Sequence, residues 1–332
     1  MQKNSEFFRK NPIRLVCGLL LCGICLSACS AKEELTVFTT VLTTPTVSTT
    51  QATTIPRPTE RPVTTLPPTP STTPEPPLSS ENAYKWNPYV FDRLAGEYEE
   101  DARRLADAVL NYEQSIAMDR ETAKVLCDNF AFEFPPAALA DFTVTDEGVQ
   151  INYLYSQSEH EKKISLFSQN VEKALATVST EDGELTRAIK LYDYVVKNVT
   201  YFYTDYTDKE ITAFSAFTKG VTICYGFADA FGYLLRQTGI EAHLWRGGTY
   251  TYNGFSEHGW CYAKIGGAYY HFDPTWDYSA AKNSGKNQYI YFGLSDAKRF
   301  AGLSRQCVSG FGKLEVTCNP YQAGNSLEIE IE

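Results

Sequence analysis

The sequence lacks any excess of basic residues: 30 Lys and Arg stand against 40 Asp and Glu, for a net charge of −10. A chain that neutralises phosphates carries a basic footprint, so no nucleic-acid partner is expected. The phosphate-cradling motifs GxGxxG and GxxxxGK[ST] are missing, as are an EF-hand loop and an internal repeat. Dinucleotide, P-loop and calcium-loop chemistry therefore have no sequence support. Histidine is scarce, with four in the chain.

Cysteine is more frequent, at nine, but most of that number sorts away from a redox or zinc role. Residues 1–14 carry Lys3, Arg9, Lys10 and Arg14, followed by an apolar run from Leu15 to Leu26 and then Ser27, Ala28 and Cys29. A basic stretch, a short greasy segment and small residues read as a secretory signal over residues 1–28, too short to span a bilayer comfortably. Cys17, Cys22 and Cys25 would leave with it. The segment Leu26-Ser27-Ala28-Cys29 resembles the lipobox of bacterial lipoproteins, which implies that Cys29 takes a lipid and becomes the new N-terminus. Buried acyl chains would then hold the protein to the outer face of a bacterial membrane. Loss of residues 1–28 removes four basic residues and Glu6, so the net charge of −10 becomes −13. Anionic lipid heads would repel such a chain, and attachment should depend on the anchor alone. No CxxC spacing occurs among Cys127, Cys224, Cys261, Cys307 and Cys318, which argues against a zinc ribbon or a thioredoxin-like site. Cys307 and Cys318 could close a surface loop as a disulfide.

Residues 29–81 are dominated by Thr and Pro, with almost no large apolar side chains after Val47. Such a segment cannot offset the entropy of ordering and reads as a disordered stalk. At about 3 Å per residue, about 45 extended residues reach on the order of 140 Å. Aromatics return at Asn82-Ala83-Tyr84-Lys85-Trp86, and one domain of roughly 240 residues, ample for a core, is expected over 82–322, with a tail at 323–332. Within it, Glu121–Phe130 reads as a helix, Glu159–Val178 and Glu184–Val199 as helices with one apolar face, and FTVTDEGVQINYLY as two strands around Asp146-Glu147-Gly148.

Residues 220–277 carry the chemistry. After Cys224 a helical period begins, with Phe227, Phe231, Leu234 and Leu235 on one face and Gly239 as a terminator. Cys224 would sit at the first turn, where unpaired N–H groups and the helix dipole favour an anion, as a thiolate nucleophile needs. A buried structural cysteine is the bland alternative. Further on, Gly266-Gly267 between strand-like residues signals a two-residue hairpin. Pairing Ile265 with Ala268 sets Trp260 opposite Asp273 and His258 opposite Thr275. His258 and Asp273 then lie diagonally on one face, within side-chain reach. A carboxylate there orients an imidazole and stabilises its protonated form. The same register puts His258 and His271 about 13 Å apart along the strand, too far to share a metal. No metal and no cofactor are expected.

Cys224 opening a helix, His258 in HGW and Asp273 in FDPTWD resemble the transglutaminase-like superfamily, whose bacterial members read close to GVCxGYAxAFxxLL, HAWN and DPTWD. The resemblance is strong over residues 182–278. It implies an α+β papain-like fold with a helix-borne cysteine packed on an antiparallel sheet carrying His and Asp. It also implies Cys224 as nucleophile, His258 as general base and later acid, and Asp273 as the orienting carboxylate. The reaction class is then acyl transfer to an amine or water through a thioester, on protein or peptide amides, cell-wall peptides among them. The chain departs from the motif at Thr222-Ile223 before Cys224, and at Cys261, where relatives often place Asn. Cys261 should face away from His258. Tyr201 and Tyr203 can approach the site but read more readily as core aromatics. Trp260 and Trp276 read as site walls or core, Asp277 as a loop cap, and His160 and His243 as isolated. A non-catalytic surface binding or adhesion module on the same fold is the alternative function, and the intact Cys224, His258 and Asp273 favour the enzyme.

Overall fold

The computed structural model describes residues 82–202, 211–251, 254–299, 307–308 and 326–327, with only the backbone of 248–251, 254–256 and 307–308. The signal segment, Cys29, the Thr/Pro stalk, Tyr203 and Cys318 lie outside them. The apolar side chains gather into two main clusters, each built by different elements.

The first cluster lies between a helix and a small sheet. Helix α1 (Glu99–Leu110) has Glu99, Glu100 and Asp101 in its first turn, where the dipole favours anions, and buries Ala102, Leu105, Ala106 and Val109. Strand β1 (Ser115–Ala117) leads to α2 (Arg120–Leu126), which Asp119 caps by accepting from the Thr122 N–H. The helix expected over Glu121–Phe130 divides here. Asn129 takes a left-handed φ of 65°, and a short α3 (Phe130–Glu133) follows it. A 3-10 turn at Pro135–Leu139 then feeds β2 (Ala140–Val144), which pairs antiparallel with β3 (Gly148–Tyr153), the hairpin expected around Asp146-Glu147-Gly148. The sheet order is β1-β3-β2.

The second, larger cluster carries the site. Helix α4 (Gln157–Leu175) starts at a capping box of Ser156 and Glu159 and buries Phe167, Val171, Ala174 and Leu175. Helix α5 (Glu184–Asn198) follows Gly183 and buries Ala188, Leu191, Tyr192, Val195 and Val196. Short β4 (Thr200–Tyr201), α6 (Ala213–Lys219) and β5 (Val221–Thr222) lead into α7 (Cys224–Gln237), with β4 and β5 paired parallel. Every residue of α7 is buried. Gly239, at φ 78°, follows its end.

A second sheet runs against α7: β6 (Ala242–Thr251), β7 (Gly254–Ile265), β8 (Ala268–Phe272) and β9 (Cys307–Val308), in the order β8-β7-β6-β9. Side chains alternate along β7. Cys261, Ala263 and Ile265 join Phe227, Phe231 and Leu235 of α7 in one core, while Trp260 and Tyr262 pack with Trp245 and Tyr269. Removing a large apolar side chain such as Phe231 (fully buried) from such a core costs roughly 3–5 kcal/mol.

The Gly266-Gly267 turn has both residues at positive φ, 59° and 86°, the type I′ geometry that glycine makes accessible. Ile265 pairs with Ala268 as expected, and the ladder continues to Cys261 opposite Phe272. There it stops, a departure from the sequence reading. Pro274 has no N–H to give a ladder, and helix α8 (Pro274–Ser284) begins with that proline in its first turn. The Asp273 N–H donates to the Tyr291 carbonyl at 2.9 Å. Thr275 therefore belongs to a helix and does not face His258 across a strand. A last short helix, α9 (Asp296–Arg299), lies beyond the loop that follows α8. Among the described residues, no helix is long and apolar enough to cross a membrane.

Candidate active site

Cys224 is the first residue of α7, with Ile223 extended before it. A side chain at Gly226 would put its Cβ 2.0 Å from the Thr222 hydroxyl oxygen, so glycine is required there. Cys224 is buried with Phe132, Ile211, Ile223, Ala228 and Leu244 around it. First-turn N–H groups of a helix have no intrahelical acceptor, so the backbone at this end favours a developing anion.

His258 lies on β7 opposite Gly247 of β6. Its Nε2 is 2.6 Å from Asp273 Oδ2, and the ring is also hydrogen-bonded by Cys224. With Nε2 engaged by the carboxylate, Nδ1 is the nitrogen left for the sulfur. Burial pulls the imidazole towards its neutral form. The charge and hydrogen bond of Asp273, with the bond to Cys224, outweigh that and push its pKa up to about 9. Burial raises the Asp273 carboxyl as well, but the His258 imidazolium, the Arg299 guanidinium and the Trp276 N–H together hold it below its ordinary value.

Asp273 is placed by its position at the end of β8. As the cap of α8 it accepts from the Trp276 N–H through Oδ1 at 3.2 Å. Its Oδ2 accepts from His258 and also from Arg299 Nη2 at 3.1 Å. The Trp276 ring stacks on the His258 ring at 4.8 Å and 10°, and Trp260 lies 6.2 Å from it. Both tryptophans are thus walls of this site. The guanidinium of Arg299 sits 4.3 Å from the Trp260 ring centre and 4.6 Å from that of Trp276.

His271 belongs to a neighbouring network. The Trp260 indole N–H donates to its Nδ1 at 2.8 Å, so Nε2 carries the proton that goes to Asp296 Oδ1, also at 2.8 Å. Among the described residues, no group of three His, Cys, Asp or Glu side chains could hold a metal ion.

The remaining candidates fall into structural roles. Burial raises the thiol of fully buried Cys261, which packs on the α7 side of the sheet. His160 bonds the Val109 carbonyl at 2.7 Å. His243 is not isolated as expected: Asp92 bonds its Nδ1 at 2.6 Å and Glu241 its Nε2 at 3.2 Å. Asp277 caps the following loop, accepting from the Ile290 and Tyr291 N–H groups, and also takes the Tyr192 hydroxyl at 2.6 Å. Tyr201 packs against the apolar cluster that holds Cys224. Arg299 escaped the sequence reading altogether, because it sits in the charged stretch Asp296-Ala297-Lys298-Arg299, which reads as a solvated turn.

Residues 172–274 match the family model described as Transglutaminase-like superfamily, a span that contains Cys224, His258 and Asp273. The segment is thus similar to the core of that superfamily. Its mixture of helices and antiparallel sheet, with the cysteine helix packed on the sheet, is the α+β class the motifs imply. A candidate cysteine protease from Cytophaga hutchinsonii is 22% identical over 34% of this chain and 37% of that one, with a TM-score of 0.27. A TGase is 14% identical over 48% of each chain, with a TM-score of 0.28. The chain spans less than half of either structure. No curated protein matches it.

One departure from the transglutaminase-like motif has a visible cause. Gly259 stands where bacterial members read Ala in HAWN. A Cβ there would lie 2.3 Å from Cδ1 of Tyr225, the residue next to Cys224. The aromatic ring has taken the room that an alanine would need.

Proposed function

We propose that this protein is a cysteine-dependent enzyme that cleaves or transfers the acyl group of protein or peptide amides. The observation that carries the reading is the buried His258–Asp273 pair, with Nε2 2.6 Å from the carboxylate, whose imidazole also interacts with Cys224 at the start of α7. In this mechanism the imidazole takes the thiol proton, and the sulfur attacks the amide carbonyl carbon. The resulting oxyanion faces the N-terminal end of α7, with the Cys224 N–H as its first donor. Collapse breaks the C–N bond, the imidazolium gives its proton to the departing amine, and a thioester remains. Water or a second amine then loses a proton to His258, attacks the thioester and releases Cys224.

The same proposal places the enzyme outside a bacterial membrane, held by a lipid on Cys29 and a stalk long enough to reach wall peptides. The test is mass spectrometry of a glutamine-containing peptide and of wall peptides incubated with the protein, with and without a primary amine. Deamidation or chain cleavage alone identifies a hydrolase, and amine adducts identify a transferase. No product from native protein, or equal product from Cys224→Ala, overturns the reading.

A further inference from the structure

The carboxylate of Asp273 is held by more than the histidine it orients. It is 1% exposed, and its Oδ2 lies between two cations, His258 Nε2 at 2.6 Å and Arg299 Nη2 at 3.1 Å. These partners differ in one respect. An imidazole gains and loses its charge during a proton-transfer cycle, whereas a guanidinium keeps its charge throughout. Whenever His258 is neutral, Arg299 is the charge that still balances a buried anion, which would otherwise be costly.

Arg299 is itself fixed on several sides. Its side chain is 2% exposed. Its guanidinium packs on the rings of Trp260 and Trp276, both also neighbours of the His258 ring. Three residues earlier on the same turn, Asp296 bonds His271 at 2.8 Å. The His271 and Leu294 backbones exchange two hydrogen bonds of 2.9 Å. The two ends of α9 thus hold His271, on β8, and Asp273, just past the end of that strand.

We infer that Arg299 is a positioning residue of the site: it acts through Asp273 to keep that carboxylate ionised and aimed at His258, with the α9 turn as its mount. The inference rests on the Cys224–His258–Asp273 reading above. A lysine would bring the charge without the flat face that packs on two indoles, so Arg299→Lys should retain part of the effect and Arg299→Met none.

The experiment is a double-mutant cycle on the full chain, with the rate of Cys224 alkylation by iodoacetamide at neutral pH as the readout, which requires no substrate. Arg299→Met is expected to slow alkylation about 10-fold, and by less than about 2-fold when Asp273→Asn is already present. Arg299→Lys should lose roughly 3-fold in the native background and nothing in the Asp273→Asn background. It decides the question by itself if the methionine variant does not fold. Equal losses in the two backgrounds, or no loss in the native one, overturn the inference. If Asp273→Asn alone leaves alkylation unchanged, the triad reading fails instead.

Discussion

His258 Nε2 and Asp273 Oδ2 are 2.6 Å apart, although one residue sits in the middle of a strand and the other caps a helix. The contact holds because β8 ends at Phe272, one residue before the carboxylate is needed. Asp273 is free of the ladder but still fixed to the end of it.

Removing that carboxylate charge should be costly. Asp273→Asn is expected to lower turnover by roughly 1,000- to 10,000-fold, the loss typical of a misoriented triad histidine. The His258 pKa, raised from 6.5 to about 9, supplies the pH signature. Its folded value exceeds its unfolded one, so its contribution to stability is complete below pH 6.5 and is lost as pH rises through about 9. The imidazolium that protonates the leaving amine disappears over the same upper limb. The pH profile of kcat/KM should therefore fall above about 9 in the native enzyme, and this limb should move to lower pH in Asp273→Asn. An unmoved limb would remove His258 from the proton pathway.

The cysteines should separate by reactivity. Cys224 meets the His258 ring at a helix start, whereas Cys261 is fully buried and its thiol is raised by desolvation. Timed alkylation followed by peptide mapping should mark Cys224 first and Cys261 only after denaturant is added. Simultaneous labelling in the folded protein would contradict this placement.

Gly259→Ala tests the exchange between Tyr225 and the strand beneath it. The added Cβ would lie 2.3 Å from the Tyr225 ring, and overpacking of this kind costs about 1–3 kcal/mol. A lower Tm together with slower Cys224 alkylation is expected, because the ring that must yield adjoins the nucleophile. An unchanged Tm would mean that the ring moves freely.

Asp229 lies on α7, five residues past Cys224. Burial pushes its pKa up to about 7 even though Arg236 stands 4.0 Å away. Desolvation outweighs so loose an ion pair. A raised carboxyl favours folding below its unfolded pKa of about 3.8, and that contribution is lost as pH rises through about 7. Asp229→Asn keeps an acceptor for the Ala213 N–H, which Asp229 Oδ2 receives at 2.6 Å, and removes the buried charge. Its Tm should vary less between pH 4 and 7 than that of the native protein and should exceed the native value at pH 8, as scanning calorimetry can measure. A steeper dependence would assign the slope to other groups, among them Asp277, raised by burial to about 6.

Much of the site was legible in one dimension because its parts depend on local patterns. The Gly266-Gly267 turn set the β7–β8 register, and the apolar period after Cys224 set the buried face of its helix. The helix at Pro274 was also written there, since Asp followed by Pro is an N-cap signal. The longer strand-like run around it hid that signal. Arg299 had no comparable mark. It is 26 residues from Asp273, and only the path of the loop after α8 brings its charge between two tryptophans. Asp92 reaches His243 across 151 residues in the same way.

The complete burial of α7 bears on how the protein would lose its activity. Local opening draws on segments with exposed backbone, and this helix presents none from Cys224 to Gln237. Its amide protons should exchange with solvent only when the whole domain opens. The sulfur end would then stay seated through partial fraying elsewhere, so inactivation on heating should follow the cooperative loss of the domain and not a local opening at Cys224.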